Sequence, residues 1–429
     1  MQWVRTGEAG SVVSLLGGGK TTFVHFLLRD DVRRHHLGPT SDNYQFLLVD
    51  FYPLSSSAGW AGFELILRRL LEQGEKIDLN VGSRDELRAQ HQEILRTHNL
   101  SLAQNALERS IALACRDSAK RLVLLFDNFD HVFAEVEASF FLSLRAMRNI
   151  NQGRLIYLIF TFNELPRLRP ALSEVDPFYR LFVRNVCGLG PYNEAEARFM
   201  LAELANISGV ELDEPAIKRL LQITGGHAGL LKTAFQTWAQ GRLALTDASP
   251  TTLLREPAAW SECQNIWNSL GADEQLALQQ LVAAPTPSLV PSVSRALTLK
   301  GLWRNGEITL PVLKVFIQRL AVNHIPKPTV DRQRRRIQWG AKLLTDLTPL
   351  EFEVLAYLIE HTDQVCTRDD LIQHLYAEQV ADPQVGVSDN RINTLIYRLR
   401  QKIEVDPRHP RFVLTVQGQG YRLGSGGAD

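Results

Sequence analysis

The sequence predicts a multidomain chain: an α/β core with a helical lid, a mainly α middle domain, and a small C-terminal α+β domain. Three observations predict it. At 429 residues the chain exceeds what one core organises, given roughly 100 to 200 residues per domain. Its first half alternates short apolar runs with longer stretches of helical periodicity. Beyond residue 335 the pattern changes to strand, helices and a hairpin with a Gly-rich tip.

Composition narrows the function classes. Hydrophobic residues at 45% and charged residues at 22% exclude a mostly disordered, collagenous or coiled-coil chain. The 47 Lys+Arg cancel the 47 Asp+Glu, so attraction to nucleic acid must come from local patches. Cys115, Cys187, Cys263 and Cys366 lie far apart without CxxC or metal spacing, which disfavours a disulfide framework and a zinc site and fits a reducing cytoplasm. No run approaches the ~20 apolar residues of a membrane span, and the N-terminus lacks a signal-peptide core, so a cytoplasmic chain with no membrane partner is expected. Only about ten residues precede the first strand, which raises the prospect of a misassigned start or a lost segment.

The core is expected over residues 1–187. Ser11 to Leu16, Tyr44 to Phe51, Arg121 to Asp127 and Leu155 to Phe162 read as strands of a parallel sheet wrapped by helices. Over 188–250 the strand signal vanishes, and NEAEARFMLAELA and EPAIKRLLQITGGHAGLLKTAFQTWA carry apolar residues at three- and four-residue spacing, an all-helical lid. Residues 251–325 continue mainly helical, with a short hairpin near Leu302 to Leu310 that admits a winged-helix-like reading. The stretch 326–336 combines two prolines with a run of cations and reads as a solvated basic linker. Residues 337–425 form the last domain.

The first motif is SLLGGGKTT, set between a Val-rich strand and the apolar helix FVHFLL. In that context Gly17, Gly18 and Gly19 let the backbone curl so that amides face phosphate oxygens, Lys20 reaches the β- and γ-phosphates, Thr21 ligates Mg²⁺, and Thr22 extends the site. This makes the core a P-loop NTPase core. The loop departs from G-x-x-x-x-G-K-[ST] at Ser14, where Gly is usual. RLVLLFD supplies the acidic strand end, with Asp127 as the second metal ligand. Asn128 follows where hydrolytic members commonly carry Glu, and an amide cannot accept a proton at neutral pH. Asp130 is a candidate catalytic base or else a solvated carboxylate or helix cap at the strand exit, and Thr161 and Asn163 are candidates to sense the γ-phosphate or hold the attacking water, or else satisfied strand-end groups.

On SLLGGGKTT, LVLLFDNFD, LGPYNEAEARFMLAEL and ITGGHAGLL, residues 1 to 250 resemble the STAND group of signalling ATPases, relatives of the AAA+ class. The resemblance implies ATP or ADP with Mg²⁺ as a conformational latch. The group's Gly-Gly-x-Pro turn by the adenine reads Gly225-Gly226-His227-Ala228 here, without the proline. Arg180 and Arg184 are the candidate trans-acting fingers.

In SDNRINTLIYRLRQKI, Ile392, Ile396, Leu399 and Ile403 share one helical stripe, with Leu395 at its edge. The opposite face presents Asn390, Thr394, Tyr397, Arg398 and Gln401, flanked by Arg391, Asn393, Arg400 and Lys402: amides and guanidiniums suited to base edges, cations suited to phosphates. Thr367 and Asp370 suit a capping box that opens the preceding helix. FVLTVQGQGYRL, with Gln417 and Gln419 at its tip, would be the wing.

On Gly340, LTPLEF from Leu347, the Ile392 to Ile403 pattern and TVQGQGYRL from Thr415, residues 335 to 424 resemble the winged-helix effector domain of OmpR/PhoB-type response regulators. The resemblance implies double-stranded DNA as partner, the 388–403 helix in the major groove, and tandem binding. The domain carries 11 Lys+Arg against 12 Asp+Glu over 335–425, so affinity is expected to draw on the Arg332 to Arg336 cluster or on dimerisation. Together the modules suggest a DNA-binding transcriptional regulator, possessing a slow or absent ATPase, in which nucleotide state gates or oligomerises the winged helix. The alternatives are an AAA+-like DNA-processing ATPase for replication or transposition, and a constitutive regulator with a vestigial P-loop.

Overall fold

Strands β1 (Gly10–Ser14), β2 (Tyr44–Asp50), β3 (Arg121–Asp127), β4 (Leu155–Thr161) and β5 (Val186–Leu189) form one sheet in the order β2-β3-β4-β1-β5, every pairing parallel. The structure is a computed structural model that describes all residues except 53, 55–57, 74–80, 118–119, 170, 245, 284–288, 324–327, 340–341, 363, 377–388, 405–409, 411, 417–418 and 424–429.

The sheet is buried on both faces, as its near-continuous apolar runs require. Along β3, Leu122, Leu124 and Phe126 join one cluster, while Val123 and Leu125 join the other. On β4, Leu155, Tyr157 and Ile159 alternate with Ile156, Leu158 and Phe160 in the same way. The first cluster holds a run of packed aromatics, Phe126, Phe129, Phe133, Phe141 and Phe178, that fixes the exits of β3 and β4. Because β4 lies between β1 and β3, all parallel, the loop after β1 and the ends of β3 and β4 share the carboxyl end of the sheet, where open α/β sheets form their crevice.

The four strands read from apolar runs are all present, β1 ending two residues early at Ser14. The fifth has no such signal. It is a short edge strand, partly exposed throughout, with Gly188 in it, and it carries the sheet past residue 187, where the core was expected to end.

Three lid helices follow. Glu194–Ser208 is opened by a capping box of Asn193 and Glu196, Glu214–Thr224 by Asp213, and Ala228–Ala239 by the imidazole of His227. The middle block comprises the helices Pro257–Asn268, Ala272–Ala283 and Pro291–Leu299, then the hairpin of β6 (Trp303–Arg304) and β7 (Glu307–Ile308), then the helix Pro311–Asn323. Core, lid and the middle block as far as Phe316 cluster into one compact unit, Met1–Phe316; the second unit, Ile317–Asp429, takes in the rest of the Pro311–Asn323 helix.

The second unit opens on an antiparallel sheet of β8 (Thr329–Asp331), β9 (Arg336–Trp339) and β10 (Lys342–Leu344). The helices Pro349–Glu360, Arg368–Tyr376 and Asp389–Ile403 follow, with β11 (Val365–Thr367), β12 (Val413–Val416) and β13 (Gly420–Leu423) in a sheet ordered β11-β13-β12. Ile337, Trp339, Phe352, Leu355, Leu371, Ile396, Leu399 and Val413 share its core.

The 326–336 stretch corrects the sequence expectation. Its described residues are not a solvated linker: Thr329 to Asp331 and Arg336 are strand residues, and Arg332 forms ion pairs with Glu353 and Glu360 on the Pro349–Glu360 helix, while 326 and 327 lie outside the described residues. Dense charge masked the strand pattern, because the hairpin faces water on one side.

Candidate functional site

The turn after β1 leads directly into the helix Lys20–Leu27, which begins at the motif lysine. Gly17 and Gly19 take φ of 72° and 89°, a left-handed backbone that a side chain would strain. A Cβ on Gly18 would lie 2.9 Å from the Leu15 carbonyl, and one on Gly19 would lie 2.8 Å from the Tyr192 hydroxyl, so the loop admits no bulk. Thr21 and Thr22 are exposed at the first helical turn, and no hydrogen bond to either side chain occurs among the described residues.

Lys20 is 4% exposed, and its ammonium lies 2.7 Å from Asp127 Oδ1 and 2.8 Å from Asn128 Oδ1. Asn128, in the left-handed region at φ 55°, donates from Nδ2 to Asp50 Oδ1 at 2.8 Å and from its backbone N–H to Asp127 Oδ1. The residue in the usual general-base position is thus a bridge between a lysine and a second carboxylate. At the ends of β1 and β4, Ser14 Oγ and Thr161 Oγ1 are buried with no hydrogen-bond partner among the described residues. Buried hydroxyls left unmatched beside an anion-shaped loop are hydrogen-bonding capacity the apolar core does not use. These features fit a Mg²⁺-nucleotide.

The lid clasps the loop from outside. His227, 0% exposed, donates from Nε2 to the Leu16 carbonyl at 2.9 Å and accepts the Leu230 N–H on Nδ1 at 3.3 Å, while the Gly229 N–H donates to the Gly17 carbonyl at 3.0 Å. Burial drives the imidazole pKa down to about 4, so the ring is neutral in this double role. The lid thus takes the carbonyls of Leu16 and Gly17 in the loop. In the sequence Gly225-Gly226-His227 reads only as a turn lacking its proline. The signal was a His one residue before a helix, an N-cap position.

Asp130 is held by the strand exit. Its carboxylate accepts the N–H of Phe162 at 2.8 Å and of Asn163 at 3.2 Å, and burial pushes its pKa up. Those bonds tie Asp130 to the exit of β4. Asn163 Oδ1 accepts from Lys300 Nζ at 2.7 Å, and Lys300 pairs with Glu274 at 2.7 Å, both ions almost fully buried. Asn163 therefore bridges the core to the middle block. Arg167 with Asp273 and Arg295 with Glu164 add two more links across the same seam. Arg180 pairs within its own turn with Asp176, and Arg184 is exposed.

In the second unit Ile392, Ile396, Leu399 and Ile403 are buried, with Leu395 at 8%. Thr367 and Asp370 form the expected capping box through reciprocal backbone bonds of 2.8 and 3.1 Å. On the other face Arg391, Thr394, Tyr397, Arg398 and Gln401 are exposed, Gln401 Nε2 donating to the Tyr397 hydroxyl at 3.0 Å. Three flanking residues are engaged within the domain. Arg400 donates to the Val413 carbonyl at 2.6 and 2.9 Å and to Thr415 Oγ1, Lys402 bonds the Asp346 carbonyl and Glu351, and Asn393 Oδ1 accepts from the Tyr421 hydroxyl. Arg400 and Lys402 hold the helix to the wing strand and to the Pro349–Glu360 helix, which period-3.6 reasoning about one helix had no means to see. Gln419 is exposed after the β12 turn; Gln417 and the Asn390 side chain lie outside the described residues.

Residues 342–423 match the family described as Transcriptional regulatory protein, C terminal. The C-terminal segment is an OmpR/PhoB-type winged helix. The chain is 38% identical over 101 residues to the DNA-binding response regulator MtrA of Mycolicibacterium smegmatis, which covers 23% of this chain and 38% of that protein. It is 42% identical over 79 residues to MtrA of Mycobacterium tuberculosis, 18% of this chain and 32% of the relative. The chain thus spans about a third of the length of these relatives. Over the longer part, a Walker-type ATPase of Pyrococcus abyssi overlays 72% of this chain and 91% of its own at 12% identity and a TM-score of 0.46, too loose to argue from.

Proposed function

We propose that this protein is a DNA-binding transcriptional regulator whose P-loop unit binds ATP or ADP, nucleotide state controlling how the winged helix is presented or paired on double-stranded DNA. The match over 342–423 carries the DNA half of this reading. The exposed Arg391, Thr394, Tyr397, Arg398 and Gln401 supply base-edge and phosphate contacts of the kind a major-groove helix uses. Asn390, Gln417 and Gln419 extend that surface in the proposal.

For the nucleotide half, the loop amides of Gly17 to Gly19, Lys20 and Thr22 would hold the phosphates, and Thr21 with Asp127 would hold Mg²⁺. Bound Mg²⁺ supplies a cation that neutralises phosphate charge and Asp127 together. Lys20 now provides that neutralisation for Asp127, so the lysine must change partner when the site fills. With Asn128 committed to Lys20 and Asp50, and Asp130 to two backbone amides, neither is set up as a base, which favours a switch over a fast ATPase.

The test is equilibrium binding of fluorescent ADP and ATP with Mg²⁺, followed by footprinting of DNA from the protein's own upstream region. Saturable nucleotide binding lost in Lys20→Ala, with a protected DNA site, supports the reading; a folded protein that binds neither contradicts it.

A further inference from the structure

The Pro257–Asn268 helix of the middle block sends one side chain to the P-loop. A Cβ on Gly17 would lie 2.1 Å from Glu262 Oε1, and a Cβ on Gly229 would lie 2.0 Å from the same oxygen. The carboxylate therefore fills a notch between the phosphate loop and the first turn of the Ala228–Ala239 helix, a notch that exists because both positions lack a side chain. Glu262 is half-buried, burial raises its pKa, and it has no hydrogen bond or ion pair among the described residues.

The neighbouring groups leave that charge uncompensated. His227 reaches the same notch through Cε1 but is neutral. Lys20, the loop's own cation, is held by Asp127 and Asn128. The loop's curled backbone favours anions, and the chain places an acid of its own against it at Gly17.

We infer that Glu262 is an electrostatic wedge: its carboxylate opposes phosphate charge at the P-loop, so its displacement or neutralisation is coupled to nucleotide entry and passes occupancy of the loop to the middle block. This rests on the reading of the loop as a nucleotide site. A charge a few Å from phosphates in a partly buried setting is worth roughly a tenfold change in affinity or more.

The experiment measures dissociation constants of mant-ADP and mant-ATP, with Mg²⁺, for wild type, Glu262→Gln, Glu262→Ala and Lys20→Ala. The wedge predicts at least tenfold tighter binding by Glu262→Gln, a gain of the same sign in Glu262→Ala, a larger gain for ATP than for ADP, and a smaller gain at high salt. Unchanged or weaker binding in both Glu262 variants, with wild type binding normally, overturns the wedge and leaves the nucleotide site intact. Absence of binding in wild type and in both Glu262 variants, all folded by circular dichroism, overturns the nucleotide reading and the wedge with it.

Discussion

Lys20 and Asp127, 107 positions apart in sequence, meet as a buried ion pair at 2.7 Å, with side chains 4% and 3% exposed. The pair joins the P-loop helix to the end of β3 and presets the two groups a Mg²⁺-nucleotide would engage separately. Removing the cation strands a carboxylate inside the protein, which typically costs about 3 to 5 kcal/mol. Lys20→Ala should therefore lower the stability of the first unit by that order, and Lys20→Ala with Asp127→Ala should recover part of the loss. Urea unfolding of the two variants checks it; equal stability of single and double variants would contradict the pairing.

The His227 clasp sets a pH dependence. Its folded pKa, about 4, lies below the ordinary value of 6.5, so between these values the unfolded chain binds the proton more strongly. Its contribution is therefore full above pH 6.5 and is lost as pH falls toward 4, a decline on the order of 3 kcal/mol. Chemical unfolding at pH 7 and pH 5 should show about 2 kcal/mol of this decline in wild type and a shallower one in His227→Gln. Parallel slopes would refute the clasp.

The Lys300–Glu274 pair is as buried as that of Lys20 and Asp127, and it also reaches Asn163. Lys300→Met should destabilise the first unit by about 3 to 5 kcal/mol, with Glu274→Gln added in the same chain restoring part of it. Thermal melts of the single and double variants decide this, additive losses being the contrary result.

On the winged helix, Arg398 and Arg400 should separate. Arg398 is exposed, so Arg398→Ala should leave folding unchanged and weaken specific DNA by about 1 to 3 kcal/mol. Arg400 is bonded to Val413 and Thr415, so Arg400→Ala should destabilise the domain by about 1 to 3 kcal/mol. Melting curves alongside gel-shift titrations distinguish them; a stability loss in Arg398→Ala, or none in Arg400→Ala, would reverse the assignment.

What was legible in the sequence was local or periodic. Apolar runs located β1 to β4, the 3.6 period placed Ile392, Ile396, Leu399 and Ile403 inside, and the Thr367/Asp370 box followed from spacing alone. What was not legible depended on partners distant in the chain. Asp130 takes its amides from Phe162 and Asn163 at the exit of another strand, and Arg400 and Lys402 find their acceptors on other elements. Glu262 and Lys300 carried no motif, and only the packing of the middle block on the core brought them to the site. The β8–β9 hairpin was hidden by its arginines, whose charge says exposure and not chain conformation.

The central claim is that nucleotide state controls DNA binding, and the most direct measurement is the affinity of the full chain for its own footprinted DNA without nucleotide, with Mg-ADP and with Mg-ATP. A latch predicts at least a fivefold difference between two of these states, abolished in Lys20→Ala. Equal affinities in all three states, with nucleotide occupancy measured in the same samples, would contradict it.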